Sequence, residues 1–475
     1  MDGKYSMQQK KLKVLFVRAP VVSDAWPPIG LPYLATFLRQ KGYSVEIDDI
    51  NIKMNRFRNS HYLDKIQSFE WQKVFFEENK KYFDDWVQSI IDSHIDVLGF
   101  MVWATNKYVS EWLTALVKKK NSKIKILYGG PSSTDDFRLV ERRDVDAIVW
   151  GEGEETVLEV LDNWEENKDI ENVAGITFSG KDYLVRTNPR RKQIENLDAL
   201  PFVDLSYIEL GNYYEDAIPL MFSRGCSWQC KFCRDFTYWQ KYRTRSADNI
   251  FNEILLRLKE YKRERYDFQL YDCAFNQNIK MLNELCDKII SLKLPENSIN
   301  FGGFAKVMPE DVDFDFLKKM RRAGFKSWSL GVESGCDRVL RLMGKPFKAA
   351  RAEEILRYAS ELGIEQTITI IAGFPGETEE DWDETINFVE RISGYLHNLC
   401  LNHMWLSPEL VQLRFSDSVG PDFEDKDGLK WTSLDGTSTY EIRLKRLERL
   451  DKRMENSPYL KKIEPLHYVR LQINK

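Results

Sequence analysis

Ser223-Arg-Gly-Cys-Ser-Trp-Gln-Cys-Lys-Phe-Cys233 places three of the chain's seven cysteines, Cys226, Cys230 and Cys233, in one loop at C-x3-C-x2-C spacing. The loop follows an apolar run, Ile218 to Phe222, which predicts a buried strand ending in a turn at Gly225. Three thiolates leave a four-coordinate structural zinc site one ligand short, and the chain holds no second C-x-x-C to complete it. A disulfide is the other plain alternative, disfavoured in a reducing compartment. An iron–sulfur cube usually takes four cysteines. Held by three, it keeps an open position on one iron, where a substrate can bind and react. Phe232, between the last two cysteines, would shield such a group.

Around this loop the composition is that of an ordinary globular chain. Its 475 residues suggest two or three domains. A net charge of -5 gives no reason to expect a nucleic-acid partner. The start, Met1 to Lys13, is polar, and no run of about 18 apolar residues is present to span a membrane. Cys273, Cys286, Cys336 and Cys400 are scattered. That usage predicts a reduced, cytoplasmic protein with one metal site and no membrane.

Upstream, strand and helix alternate from Lys13. Strands are expected at Val14–Val17, Val45–Ile50, Val97–Trp103, Ile124–Tyr128 and Ala147–Trp150. Helices are expected at Gly30–Lys41, Trp86–Ser93, Val109–Lys119 and Thr156–Trp164. Such alternation predicts a doubly wound parallel sheet, with ligands at the carboxyl ends of its strands. The segment 55–85 is an aromatic insertion in which Phe69, Phe76 and Phe83 fall at helical spacing, read as one amphipathic helix, with a lid as the alternative. Gly175 to Arg186 predicts a hairpin, and Asn188 to Asp204 a linker.

Downstream of the cysteines the alternation resumes, with strands at Phe268–Tyr271, Ile299–Phe304, Trp328–Val332, Ile368–Ala372 and Leu399–Leu401. Ser246 and Thr378 stand where helix caps belong. With the cysteine strand this makes about six βα units, a partial (β/α)6 barrel. A charged helix, Tyr440 to about Met454, with an apolar stripe of Ile442, Leu444, Leu447 and Leu450, is expected to close it.

The cysteine loop, Gly331-Val-Glu-Ser-Gly335 and Ala372-Gly-Phe-Pro-Gly-Glu-Thr378 stand in the order found in radical S-adenosylmethionine (SAM) enzymes, which the chain resembles. Ahead of them, residues 13 to 166 resemble a cobalamin-binding domain. The resemblance rests on the loops Trp26-Pro-Pro-Ile-Gly30, Trp103-Ala-Thr-Asn106, Gly129-Gly-Pro131 and Gly151-Glu-Gly-Glu154. The implied layout is a tail (1–12), a Rossmann-like domain (13–170), a hairpin and linker (171–213), a barrel (214–404) and a C-terminal extension (405–475). The implied cofactors are a [4Fe-4S] cluster on Cys226, Cys230 and Cys233, SAM, and cobalamin. Phe232, Asp272, Glu333, Ser334 and Gly373 are the implied SAM contacts. Trp26, Thr105, Gly129, Gly130, Gly151 and Glu152 are those for cobalamin. Methionine-synthase-type cobalamin domains carry a cobalt-ligating histidine in the loop after the first strand; Arg18 to Gly30 has none. Cobalamin here would therefore lack a histidine lower ligand, or the fold has outlived the cofactor.

What the resemblance implies for function is reductive cleavage of SAM to a 5′-deoxyadenosyl radical, with a reductant such as flavodoxin or ferredoxin. The preferred expectation is methylation of an unactivated carbon in a peptide or small natural-product intermediate. The alternatives are a non-methylating rearrangement, dehydration or cyclisation on the same architecture, and a non-catalytic cofactor-binding sensor.

Overall fold

The computed structural model describes residues 12–22, 26–54, 69–133, 138–420 and 428–455. It divides into two compact units, Met1–Ala217 and Ile218–Lys475. His61 and the first half of the aromatic insertion lie outside the described residues.

The first unit is built on one sheet of seven strands. They are β1 (Lys13–Arg18), β2 (Ser44–Asp49), β3 (Val97–Met101), β4 (Lys125–Gly129), β5 (Ala147–Val149), β6 (Ile176–Ser179) and β7 (Val185–Thr187). Their order is β2-β1-β3-β4-β5-β6-β7. The first five run parallel, whereas β5–β6 and β6–β7 are antiparallel. The expected hairpin is thus an extension of this sheet. Because successive strand residues face opposite sides, two cores form. Leu15, Val17, Leu98 and Phe100 join one; Val14, Phe16, Val97 and Leu127 join the other. The predicted linker packs onto this unit, with Asp204 N donating to Thr36 Oγ1 at 2.8 Å and Tyr213 Oη to Asp49 at 2.8 Å.

The aromatic insertion departs from the single expected helix. Two helices, Phe69–Glu78 and Lys80–Asp92, meet at Asn79. At this junction the Asn79 side chain shares Phe75 O with its own backbone N–H, at 2.7 and 3.2 Å. Phe76 and Phe83 still stack at 4.8 Å inside the core, as the packing reading expects of this part.

The second unit carries six parallel strands in the order β15-β14-β13-β12-β11-β8. The cysteine strand β8 (Ile218–Leu220) forms one edge, beside β11 (Tyr266–Leu270), β12 (Ile299–Ala305), β13 (Phe325–Glu333), β14 (Glu365–Ala372) and β15 (Asn398–His403). A two-residue antiparallel ladder, β9 (Ser223–Arg224) with β10 (Arg243–Thr244), follows β8. The barrel is open, since no pairing joins β15 to β8. Ser246 caps its helix by accepting Asn249 N at 3.1 Å, and Thr378 forms a reciprocal capping box with Asp381.

The C-terminal helix, Tyr440–Glu455, buries Arg443, Arg446, Leu447, Leu450 and Met454. The expected stripe through Ile442 and Leu444 is therefore rotated, and two arginines belong to the buried face.

Candidate active site: a three-cysteine loop at the strand ends

Every part of the site in the second unit lies at the carboxyl end of a parallel strand, where barrel loops converge. The cysteine loop leaves β8 through Phe222 and Ser223. Asp272, just past β11, fixes that exit: its carboxylate accepts Phe222 N at 3.0 Å and Ser223 Oγ at 2.5 Å. Gln277 holds the turn itself, accepting Ser227 N at 2.7 Å and donating to Gly225 O at 2.9 Å. Lys231 N donates to Met343 O at 2.9 Å, and Arg414 to Gln229 O at 3.1 Å. The loop is held by side-chain and backbone contacts from three other segments, which leaves the thiols free of disulfide partners.

All three cysteines are free thiols. Trp228 N donates to Cys226 Sγ and Asp235 N to Cys233 Sγ, each at 3.4 Å. Such bonds favour thiolates and tune any cluster they hold. The thiols also feel one another's charge. Burial pushes the Cys230 and Cys233 thiols up, and the Lys345 ammonium opposes this at Cys230. Burial thus favours the protonated thiols, whose protons a bound cluster would displace. Among the described residues no three His, Cys, Asp or Glu side chains converge on the position of a single ion. The donor set, three thiols of one loop of which Cys226 and Cys233 accept N–H bonds, fits the chemistry of a three-cysteine iron–sulfur cluster.

Lysines frame the loop. Lys306 Nζ donates to Ser227 Oγ at 2.6 Å and stands 5.0 Å from the Trp228 ring. Lys345 is buried, donates to Gly331 O at 2.9 Å, and has Glu333 Oε1 at 3.5 Å. Its ammonium also lies 5.4 Å from Trp228 and 5.5 Å from Phe232. Phe232 is half-buried, packed on the core beneath. Glu333 ends β13 at φ +75°, a strained conformation for a side-chain-bearing residue. Burial raises its carboxyl group, and Lys345 partly offsets that.

Three of the residues expected to contact SAM, Asp272, Ser334 and Gly373, already have internal hydrogen-bond partners. Asp272 is 4% exposed, with its oxygens on the cysteine strand. Ser334 is fully buried and shares its hydroxyl between Thr385 Oγ1 at 3.0 Å and Cys336 N at 3.1 Å. Gly373, at φ +86°, donates its N–H to Glu377 Oε2 at 2.6 Å, and its carbonyl accepts Ser438 Oγ at 2.8 Å. In each case a buried polar group has found an internal partner, as burial demands. Phe232 and Glu333, with Lys345 and Lys306, remain beside the thiols. Gln277 and Lys345 carry no motif of their own; Lys345 comes just after the short helix Asp337–Met343 that follows the Gly331–Gly335 segment.

In the first unit, the loops after β1, β3 and β4 are tied together. Asn106, fully buried, accepts Trp103 N at 2.7 Å and donates to Ala19 O and Met101 O at 3.1 and 3.0 Å. Gly130, at φ +106°, packs so closely that an added Cβ would lie 2.8 Å from Val102 O, whereas one at Gly129 would meet open space. Trp26 and Trp103 are 39% and 42% exposed. Thr105 is half-buried, and Gly151 takes φ +71°. Glu152 Oε2 accepts Ile194 N at 2.8 Å. The glycine cradle with exposed aromatics fits a large flat ligand.

Residues 17–161 match the model of the B12 binding domain, and residues 220–389 that of the radical SAM superfamily. The chain belongs to the radical SAM enzymes that carry a B12-binding domain. An uncharacterized methyltransferase of Pyrococcus horikoshii is 25% identical over 398 residues, covering 81% of this chain and 79% of that one. An anaerobic magnesium-protoporphyrin IX monomethyl ester cyclase of Cereibacter sphaeroides is 27% identical over 408 residues, 83% of this chain and 61% of the cyclase. Among solved structures, the cobalamin-dependent SAM radical enzyme OxsB superposes with a TM-score of 0.65 at 19% identity. That match covers 96% of this chain but only 56% of OxsB. The radical SAM methyltransferase TsrM of Kitasatospora setae gives a TM-score of 0.68 at 16% identity, covering 92% and 81%. At such identities the structural likeness speaks for the fold. Among the described residues of this radical SAM enzyme, no helix is long and apolar enough to cross a membrane.

Proposed function

We propose that this radical SAM enzyme methylates an unactivated carbon of a peptide or small natural-product intermediate, using cobalamin. The observation that carries the reading is the pairing, in one chain, of a three-thiol loop on a radical SAM barrel with a B12-binding domain whose first loop lacks histidine. Cys226, Cys230 and Cys233 would hold the cluster, and the Gly129–Gly130 cradle would hold cobalamin. Bound there, these groups supply one-electron cleavage of a sulfonium and a transferable methyl group.

The chain's own side chains have the remaining tasks. Asp272 and Gln277 hold the thiol loop in place before any ligand arrives, so little reorganisation is needed on binding. Lys345 and Lys306 put positive charge beside the loop, suited to the carboxylate of SAM. Glu333 offers an acceptor for an ammonium or ribose hydroxyl. Trp228, Phe232 and Phe347 keep water from the same place, with Trp228 and Phe347 5.6 Å apart. Electrons would come from a small reductant such as flavodoxin or ferredoxin.

Similarity to a cyclase supports a second reading, ring closure or another rearrangement without methyl transfer. Anaerobic purification with cobalamin supplied, an absorption spectrum, and product analysis after dithionite reduction separate the two. Methylation forms S-adenosylhomocysteine together with 5′-deoxyadenosine; the second reading forms 5′-deoxyadenosine and methionine alone. Missing cobalamin bands would rule out the first reading.

A further inference from the structure

We propose that the C-terminal helix Tyr440–Glu455 sets the Gly373–Glu377 turn in its SAM-accepting form, with Arg446 as a positioning residue acting through Glu377. This rests on the reading of the chain as a radical SAM enzyme, a resemblance that implies SAM contact near Gly373.

The turn links β14 to the helix Glu379–Ile392, and its shape is held by side chains and not by sheet. Glu377 Oε2 receives both Gly373 N–H, at 2.6 Å, and Arg446 Nη1, at 2.9 Å. Arg446 Nη2 also donates to Glu377 O at 3.0 Å, and Nε to Glu379 Oε1 at 2.8 Å. The two side chains are 2% and 0% exposed. On the other side of the glycine, Ser438 Oγ donates to Gly373 O while accepting Arg443 Nη1 at 3.1 Å. A Cβ at Gly373 would lie 2.2 Å from Arg443 Cγ, so the helix touches the turn at its backbone. The helix has its own anchor as well, Trp382 Nε1 donating to Arg446 O at 3.0 Å.

The turn's left-handed glycine is thus bracketed by two polar contacts that both lead to arginines of one helix. A buried carboxylate keeps its charge only while its partner is present. Without Arg446, Glu377 takes a proton or turns away, and the charge-assisted hold on Gly373 N–H weakens. The neighbouring rim backbone at Phe374, just past β14, then loses its fixed shape. A pair that merely fastened the helix would affect stability and leave ligand affinity alone.

The test uses the full chain, purified anaerobically with its cluster reconstituted, and measures SAM affinity by equilibrium dialysis beside iron content and thermal midpoint. Arg446→Met is expected to weaken SAM binding about tenfold or more with iron content unchanged. The double variant E377Q/R446M, in which a neutral amide oxygen can still accept Gly373 N–H, is expected to return within about threefold of wild type. Arg257→Met, which breaks a comparably buried pair with Glu253 elsewhere, should lower the midpoint without moving the affinity. A folded Arg446→Met protein that binds SAM as wild type does, or loses no more affinity than Arg257→Met, overturns the proposal. Should Arg446→Met not fold, the double variant decides: affinity within about threefold sustains it, and a tenfold loss refutes it. A wild-type chain that binds no SAM instead overturns the reading of the site, and that is seen before any variant is made.

Discussion

Asp272→Asn tests whether the anchor of the cysteine loop is a buried acid or a buried carboxylate. Asp272 is 4% exposed. Burial lifts its carboxyl group from 3.8 to about 6, against the opposing pull of its bonds from Ser223 and Phe222 and of the Arg245 charge. A carboxyl group raised on folding stabilises fully below its unfolded value. That contribution is lost as pH climbs through the folded one, because the unfolded chain ionises more easily. A shift of about two units corresponds to about 3 kcal/mol in total, roughly half of it lost between about pH 5 and pH 8. Asparagine keeps the shape and one acceptor without the charge. The variant should therefore gain on wild type as pH rises, and match or exceed it at about pH 8. Asp272→Ala differs, since it strands Phe222 N–H and Ser223 Oγ in the interior, at about 2–5 kcal/mol for the two groups. Melting both proteins and the asparagine variant across this pH range is the assay. A stability difference between wild type and Asp272→Asn that does not change with pH would refute the argument.

Three other outcomes follow from the same geometry. Replacing Cys226, Cys230 or Cys233 singly by alanine should abolish iron content and visible absorption after anaerobic reconstitution, while the melting temperature of the iron-free chain stays put. Gly130→Ala puts a Cβ 2.8 Å from Val102 O at φ +106°. About 1–3 kcal/mol of strain is expected, and cobalamin retention, read from the absorption spectrum, should fall. Phe83→Ala empties a fully buried site stacked on Phe76. A loss of about 3–5 kcal/mol in chemical denaturation is expected.

How much of this was legible beforehand depends on which kind of signal carried it. The strands showed themselves because burial on both faces makes short apolar runs, and Gly or a cap residue marks each end. Ser246 and Thr378 were readable for the same reason: their hydroxyls act within three residues of sequence. Glu152, Asp272, Ser334 and Gly373 could be placed at strand ends but not oriented. Whether a carboxylate faces a ligand or a neighbouring strand depends on partners such as Phe222, 50 residues away. Asn79 illustrates the local limit, since the 69/76/83 spacing continues through the helix junction at which it stands.

The C-terminal helix shows why composition misleads at such positions. Arg443, Arg446, Leu447, Leu450 and Met454 recur on one helical face, yet an apolar template passes over the arginines and picks Ile442 and Leu444 instead. Arginine is tolerated inside because its planar fork can satisfy several acceptors at once. Arg446 reaches Glu377, Glu379 and Thr437 O, and Arg443 reaches Ser438 and Trp431 O. A buried arginine therefore signals backbone carbonyls and carboxylates that have no nearer donor, and here those belong to the turn after β14 and to the residues, Trp431 to Ser438, that lead into the helix. The same logic extends along the rim. Asp272, Gln277, Ser334 and Glu377 each make at least one hydrogen bond with backbone, and Lys306 and Lys345 are left flanking Trp228 beside the cysteine loop.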